Sequence, residues 1–201
     1  MTNIISKTIL LLLALGNIIF QPTSVSAQQY EMESGKSSFS VSAPAKTIYG
    51  ESDKVHVQLD HTNGKLKLEV PVKSFRFTNN FMSDTLNDIL YHRFNHYYME
   101  STKYPKVIYN ARIINNAAIS FEQDGTYPIQ TKGIATIHGV GQEATADGVV
   151  TVKNRNITVT AKMAVHPTYY KIRIPTYIGG MYFKEVFIKV KGSLIKSADN
   201  L

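Results

Sequence analysis

The sequence contains no cysteine among its 201 residues. Disulfide bonds are therefore excluded, and so is a lipid-modified cysteine near the N-terminus. A domain without disulfides must be held together by the hydrogen bonds of its sheet and by packing. The sequence also has no internal repeat, no low-complexity segment and no linker. These absences favour a single folded unit.

Only one stretch of the chain is apolar enough to suggest a membrane or export segment. It runs from Ile9 to Phe20, follows the basic residue Lys7, and precedes the small-residue site Val25-Ser26-Ala27. These are the features of a secretory signal peptide. The run is shorter than the roughly 20 residues of a membrane span. We expect residues 1–27 to be a signal peptide that exports the protein, to the periplasm; an uncleaved N-terminal anchor is the alternative.

The remaining residues, 28–201, have the length of one domain. The formal net charge of the whole chain is +7, and loss of Lys7 with the signal lowers it by one. The basic residues are spread out, which fits solubility; attraction to an anionic lipid surface is the alternative, and would make a transient membrane contact. They do not cluster with aromatic stacking platforms, so we expect no nucleic-acid partner.

Motifs of known catalytic chemistry are weak in this sequence. Gly35-Lys36-Ser37 resembles the end of a phosphate loop, but Tyr30 stands where the upstream glycine is needed. His92 and His96 have the i, i+4 spacing that places two metal ligands on one face of a helix. Arg93 follows the first histidine where a zinc-protease helix has glutamate, and its charge repels a cation. We expect no metal and no cofactor; a metal-dependent enzyme that uses this pair is an alternative.

The rest of the chain has the pattern of an all-β protein, with 12 Tyr, 9 Phe and turn signals at short spacing. Thr62-Asn63-Gly64 lies between two alternating segments, Val55 to Asp60 and Lys65 to Phe77. Asn-Gly is a strong hairpin signal because both residues tolerate positive φ. In the second segment the apolar positions shift by one residue after Val72, which predicts a β-bulge near Lys73-Ser74.

One segment, Met82 to Met99, is predicted to be helical, as one helix or two short ones, with Ser83 or Asp84 as its cap. Pro105 then forces an extended exit. Apolar residues recur at three-to-four spacing, at Leu86, Ile89, Leu90, Phe94 and Tyr97 or Tyr98.

The later strands bring the total to seven or eight, which is typical of a sandwich or a barrel. A closed barrel has no exposed edges, and at about eight strands its interior can hold a small ligand. The helix would then lie near one mouth. The remaining predicted strands are Val107–Ile113, Ala117–Phe121, Tyr127–His138, Glu143–Lys153, Ile157–Val165, Lys171–Ile174 and Phe183–Leu194.

The segment from Leu90 to Gly139 carries a resemblance to a known family. A short aromatic helix, Tyr91 to Ser101, is followed by Lys103-Tyr104-Pro105 and later by Thr136-Ile137-His138-Gly139-Val140. This order is similar to that of the YceI-like proteins, in their short Bacteroidetes-type form, from about Ser38 to Ile195. The chain departs from the family's longer members, which have an Asp after the Arg that opens the helix.

The resemblance implies an extended, lipocalin-like antiparallel β-barrel with an apolar tunnel. It also implies an isoprenoid ligand, such as a polyprenyl or quinone lipid, and no catalytic apparatus. We therefore expect a non-enzymatic lipid-binding protein. An envelope interaction module with a fully packed barrel is a further alternative. Neither pattern nor resemblance predicts an oligomeric state.

Aromatic residues and methionine are more abundant than a tight small-barrel core needs, and a ligand pocket uses the same side chains. Methionine suits a tunnel because its thioether adapts in shape. His138 and Tyr170 are the predicted polar contacts at the mouth. The predicted lining is Phe75, Phe77, Phe81, Met82, Phe94, Tyr98, Met99, Ile137, Met163, Ile172 and Phe183.

Overall fold

The computed structural model describes residues 29–42, 46–174 and 185–197. Within these ranges there are ten strands and one α-helix, α1, which spans Asp84–Arg93. None of the described helices is long and apolar enough to cross a membrane. The strands are β1 (Gln29–Ser42), β2 (Thr47–Ser52), β3 (His56–Asp60), β4 (Lys65–Pro71), β5 (Arg76–Phe77), β6 (Lys106–Ile113), β7 (Gly125–Ile137), β8 (Val140–Lys153), β9 (Asn156–Val165) and β10 (Val186–Lys196).

Eight of the described strands close into an antiparallel barrel in the order β10-β9-β8-β7-β6-β4-β3-β1, with β1 pairing back to β10. β1 is long enough to serve two neighbours. Its start, Gln29 to Glu31, pairs with β3, and its end, Ser37 to Ser42, pairs with β2. β5 then extends the sheet beyond β2. The predicted all-β antiparallel barrel of about eight strands is confirmed.

The first two strands were not among the strands predicted from the sequence. β1 nevertheless carries a clear alternation, since Phe39 and Val41 lie between serines at positions 38, 40 and 42. Phe39 and Val41 face the interior of the barrel. Alternation over four to eight residues is typical of a half-buried strand. Here only a few apolar residues alternate with the serines, so the period-two signal is weak.

One half of the barrel is packed solid. Tyr30 packs against Phe121, with ring centroids 4.7 Å apart, and Val150 and Val152 are 1% and 2% exposed. This packed half lies at the end of the barrel that carries the hairpin between β3 and β4. Its buried members are Tyr30, Leu59, Ile113, Ile119, Phe121, Ile129, Val150, Val152, Ile157 and Leu194.

The helical segment lies between β5 and β6, at the opposite end of the barrel. The Ser83 side chain accepts a hydrogen bond from the Leu86 N–H, at 3.3 Å, so the predicted cap is confirmed. The predicted apolar face is only partly right: Leu86 and Ile89 are 50% and 40% exposed. The inward face instead carries Asn87, whose Oδ1 accepts a hydrogen bond from the Asn79 N–H at 3.1 Å.

Three local predictions are wrong. The apolar shift after Val72 arises from a 3₁₀ turn, Val72–Ser74, rather than from a β-bulge, and β5 then pairs with β2. The predicted strand Ala117–Phe121 is a 3₁₀ turn, Asn116–Ala118, followed by irregular chain that delivers apolar side chains to the packed half. The predicted strand Lys171–Ile174 is irregular chain after the 3₁₀ turn Pro167–Tyr170.

Candidate functional site: the barrel cavity

The half of the barrel nearest the helical segment is hollow. It contains a cavity of about 240 Å³. At roughly 10–15 Å³ for each water-sized position, the cavity offers on the order of twenty such positions. This hollow half is at odds with the alternative expectation of a barrel packed from end to end.

Most of the predicted lining residues meet in this cavity. Phe81 and Met82 do not line it: Phe81 is 40% exposed, with Lys46 Nζ 4.6 Å from its ring centroid. These two residues precede α1 on the outer side of the rim. Phe183 lies outside the described residues. The predicted residues found in the lining are Phe75, Phe77, Phe94, Tyr98, Met99, Ile137, Met163 and Ile172, together with Tyr170.

Four phenylalanines form a cluster in the cavity wall. Phe39 is central, with ring centroids 5.3 Å from both Phe75 and Phe94 and 5.8 Å from Phe77. Such offset and edge-to-face arrangements stabilise aromatic pairs beyond their burial. The cluster joins β1 and β5 to the helical segment, so the cavity wall on this side is built of rings.

A wide turn of helix sets the angle of the next lining residues. After α1 the chain continues as a π-helical turn, Phe94–Tyr98, closed by a hydrogen bond from the Met99 N–H to the Phe94 carbonyl at 2.8 Å. An i→i+5 bond brings residues five apart nearer to one face, and such turns are frequent at functional sites. Phe94, Tyr98 and Met99 consequently all line the cavity.

The wall of the cavity contains a small group of hydroxyls. The Tyr109 hydroxyl lies 3.0 Å from the Thr131 hydroxyl and donates to the Ala144 carbonyl at 3.2 Å. The Thr131 hydroxyl can donate in turn to the Ala146 carbonyl, at 3.3 Å. Burial raises the pKa of Tyr109 above its usual value of 10.0, so this phenol stays protonated and uncharged in the wall.

The cavity carries no charge of its own on any buried side chain that the structure describes. The one charged residue among the described residues of its lining is Lys162, which is exposed to solvent. The neighbouring residues Ala161 and Met163 on β9 face inward instead. An ionised group brought inside would therefore lose its hydration without gaining a partner, which is costly. The cavity is suited to an uncharged, mainly apolar guest.

His138 lies beside the cavity and does not line it. Its side chain connects neighbouring segments of the chain. Its Nε2 lies 2.6 Å from Glu100 Oε2 and its Nδ1 lies 3.1 Å from the Tyr170 carbonyl. His138 and Gly139 form the tight turn between β7 and β8, with φ of 51° and 71°. A Cβ on Gly139 would lie 2.3 Å from the Tyr104 ring, so only glycine fits there. His138 was predicted to be a polar contact at the mouth. Its contacts are with Glu100 and Tyr170 of the protein itself, so its role is structural.

The histidine pair of the helical segment gains no support as a metal site. The His92 and His96 rings stack with centroids 6.1 Å apart. Across the described ranges, the structure brings together no group of three or more His, Cys, Asp or Glu side chains able to hold a metal. A third ligand is what a protein zinc site needs.

The fold and the cavity can be placed among known proteins. The model of the YceI-like domain matches residues 29–194. The chain belongs to the YceI-like family. No curated protein matches the sequence significantly.

Several solved structures share this fold, among them two from different organisms. One is a polyisoprenoid-binding domain from Saccharophagus degradans implicated in plant cell wall breakdown: the TM-score is 0.66, the identity 13%, and the match covers 84% of this chain and 98% of that one. The other is BcnA of Burkholderia cenocepacia, with a TM-score of 0.61, 16% identity, and coverage of 81% and 96%. At these identities the likeness establishes the fold.

Sequence reasoning missed part of the lining. β1 and β2, which were not predicted as strands, contribute Phe39, Val41 and Ile48. β10 was predicted as a strand, but its residues Ile188 and Val190 were not assigned to the lining. Each lies at every second position of its strand, so period-two alternation was the signal that would have found them.

Proposed function

We propose that this protein is a non-enzymatic carrier that holds an isoprenoid-type chain, such as a polyprenyl or quinone lipid, in the hollow half of its barrel. The observation that supports this most strongly is the cavity itself: about 240 Å³ of space with an almost wholly apolar wall. A packed half beneath it supplies the stability that a hollow core lacks.

The wall explains how such a ligand is held without a charged clamp. Each methylene removed from water contributes about 0.8 kcal/mol. A chain of several isoprene units therefore gains enough from burial alone. Phe75 and Phe94 supply flat faces, and Met99 and Met163 supply side chains that adapt to a flexible guest. The polyisoprenoid-binding domain of Saccharophagus degradans, which shares the fold, supports the choice of ligand class.

Export of the protein is part of the same proposal. Residues 1–27 have the composition of a signal peptide, and a periplasmic carrier would shield its lipid between membranes. N-terminal sequencing of the protein recovered from the periplasmic fraction should give Gln28 as the first residue. A protein that retains Met1 and sediments with membranes would favour the uncleaved anchor.

A transient contact with an anionic membrane surface completes the proposal. Phe81, Leu86 and Ile89 are 40%, 50% and 40% exposed, at the end of the barrel where Phe94 lines the cavity. Lys46 lies over the Phe81 ring, which adds a positive charge to this apolar rim. Apolar side chains flanked by cations favour shallow binding to anionic bilayers.

The test of the carrier function is native mass spectrometry of the purified protein, followed by lipid extraction and a titration with a prenyl lipid. We expect a complex of one protein with one lipid, either as purified or after titration. Protein that arrives empty and stays empty in the presence of prenyl lipid would overturn the proposal. Retention of fatty acids alone would assign a different ligand class.

A further inference from the structure

Two of the tyrosines that line the cavity, Tyr98 and Tyr170, have hydroxyls that make no hydrogen bond within the described residues, and Tyr170 is the more deeply buried of the two. Tyr170 is 3% exposed and lines the cavity. Within residues 29–42, 46–174 and 185–197, its hydroxyl makes no hydrogen bond. Buried phenol groups ordinarily find a hydrogen-bond partner. The Tyr170 hydroxyl is thus available to a ligand in the cavity.

The position of Tyr170 is firmly set. Its backbone carbonyl lies 3.1 Å from His138 Nδ1. Tyr170 is the last residue of the 3₁₀ turn Pro167–Tyr170, which packs on β8. The main chain is thus held from one side, and the side chain lines the cavity.

The hydroxyls of Tyr109 and Thr131 are already used by the protein. Tyr109 donates to the Ala144 carbonyl and shares a hydrogen bond with Thr131, so its proton is committed to the wall. Burial, and the nearby Tyr109, raise the pKa of Tyr170 above its usual value of 10.0. Tyr170 is therefore a neutral donor at any physiological pH, and it lacks only an acceptor.

We propose that Tyr170 is a recognition residue that donates a hydrogen bond to an uncharged oxygen of the bound lipid, a quinone or ketone carbonyl or a hydroxyl, carried into the cavity head first. This inference rests on the proposed carrier function. It excludes a phosphate as the buried end, because no cationic side chain among the described residues is buried in the cavity. It also distinguishes an oxygenated isoprenoid from a plain hydrocarbon, which would leave Tyr170 unpartnered.

Tyr98 and Ser37 are the competing candidates for this contact. Tyr98 lines the cavity but is only partly buried. Ser37 is 2% exposed and lines the cavity from β1, and among the described residues its hydroxyl makes no hydrogen bond either. In the strand order of the barrel, β1 lies opposite β7, whose end carries the turn that holds Tyr170. Tyr170 is a stronger candidate than Ser37 because a phenol is a better donor than an aliphatic hydroxyl and because its backbone is fastened.

The experiment compares three probes in a binding titration with the full mature protein: a prenylated quinone, the hydrocarbon with the same prenyl chain, and the prenyl monophosphate. Tyr170→Phe removes a single oxygen. Tyr169→Phe is the matched control, since its side chain is 62% exposed on the adjacent residue. We expect Tyr170→Phe to weaken quinone binding about 3- to 10-fold, and to leave hydrocarbon binding unchanged.

The remaining outcomes separate this inference from the carrier proposal. If the wild-type protein binds none of the probes, the carrier proposal fails. If it binds all three and Tyr170→Phe changes none of them, or weakens the hydrocarbon as much as the quinone, the carrier stands and the assignment of Tyr170 is overturned. A selective loss in Ser37→Ala or in Tyr98→Phe, with none in Tyr170→Phe, also overturns it. Tighter binding of the monophosphate than of the quinone would reverse the proposed orientation.

Discussion

The Nε2 atom of His138 lies 2.6 Å from the Oε2 atom of Glu100, across 38 residues of sequence. Glu100 ends the helical segment in a left-handed conformation, with φ of 42°, and His138 stands in the β7–β8 turn with φ of 51°. Two strained residues thus hold each other in place. Through its Nδ1, His138 also reaches the carbonyl of Tyr170, so one ring joins three segments around the cavity.

The contact between His138 and Glu100 should contribute measurably to stability. We expect His138→Asn to lower the free energy of unfolding by about 1–2 kcal/mol. Asparagine tolerates positive φ, so the change reports the lost contacts rather than backbone strain. Urea denaturation of His138→Asn, Glu100→Gln and the double variant gives the coupling between them. A coupling below about 0.3 kcal/mol would mean that the two side chains act independently.

The packed and hollow halves should respond differently to the same truncation. Ile157 lies in the packed half at 6% exposure, and Ile137 lines the cavity at 5%. Ile157→Ala leaves a new void among packed side chains and should cost about 2–5 kcal/mol. Ile137→Ala enlarges a void that already exists and should cost less, by at least 1 kcal/mol. Equal losses of stability in urea denaturation would contradict a hollow half near the helical segment.

Alkaline pH should destabilise the barrel through its buried phenols. Burial raises the pKa of Tyr30, Tyr109 and Tyr170 above the usual 10.0. In the unfolded chain each phenol ionises near pH 10, while the folded chain holds the proton, so stability present below pH 10 is lost as the pH rises through the raised values. The midpoint of thermal unfolding should fall above pH 10, and the fall should be smaller in Tyr109→Phe. If the midpoint of thermal unfolding falls with pH as steeply in Tyr109→Phe as in the wild type, this account is contradicted.

The sequence predicted the barrel far better than it predicted the site. The Asn63-Gly64 turn and the alternation of β4 and β9 are local signals, and each was read correctly. The outward Leu86 and Ile89 were not, because the helix is fastened to β2 through Asn79 and Asn87. These tertiary hydrogen bonds, rather than the spacing of the apolar residues, determine which face of the helix is buried. The sequence of the helix alone does not predict them.

The site depends on contacts between distant segments, which sequence spacing does not report. Phe39 meets Phe94 across 55 residues only because β1 and the helical segment are brought together by closure of the sheet. The predicted lining consequently contained the residues near the recognised motifs, such as Met99 and Ile137. The predicted lining lacked the residues on β1 and β2, because these strands in the serine-rich N-terminal segment were not predicted.

The exposed residues of α1 should carry the contact with membranes. We expect Leu86→Ser combined with Ile89→Ser to weaken binding to anionic phospholipid vesicles about tenfold or more, as measured by co-sedimentation. Ile134→Ser is the control, because Ile134 is 44% exposed on the flank of β7. Binding should also weaken with added salt. If Ile134→Ser weakens vesicle binding equally, or if the protein binds only neutral vesicles, the helix does not make the proposed membrane contact.

Filling the cavity tests the central claim most directly. Ala161 lines the cavity from β9, and Ala164 is exposed on the same strand, so Ala161→Phe and Ala164→Phe add the same ring inside and outside the barrel. In a titration with a prenylated quinone, the account predicts that Ala161→Phe abolishes or weakens binding by about tenfold or more, with stability retained, while Ala164→Phe binds as the wild type does. Undiminished binding by a folded Ala161→Phe protein would contradict a lipid held inside the barrel.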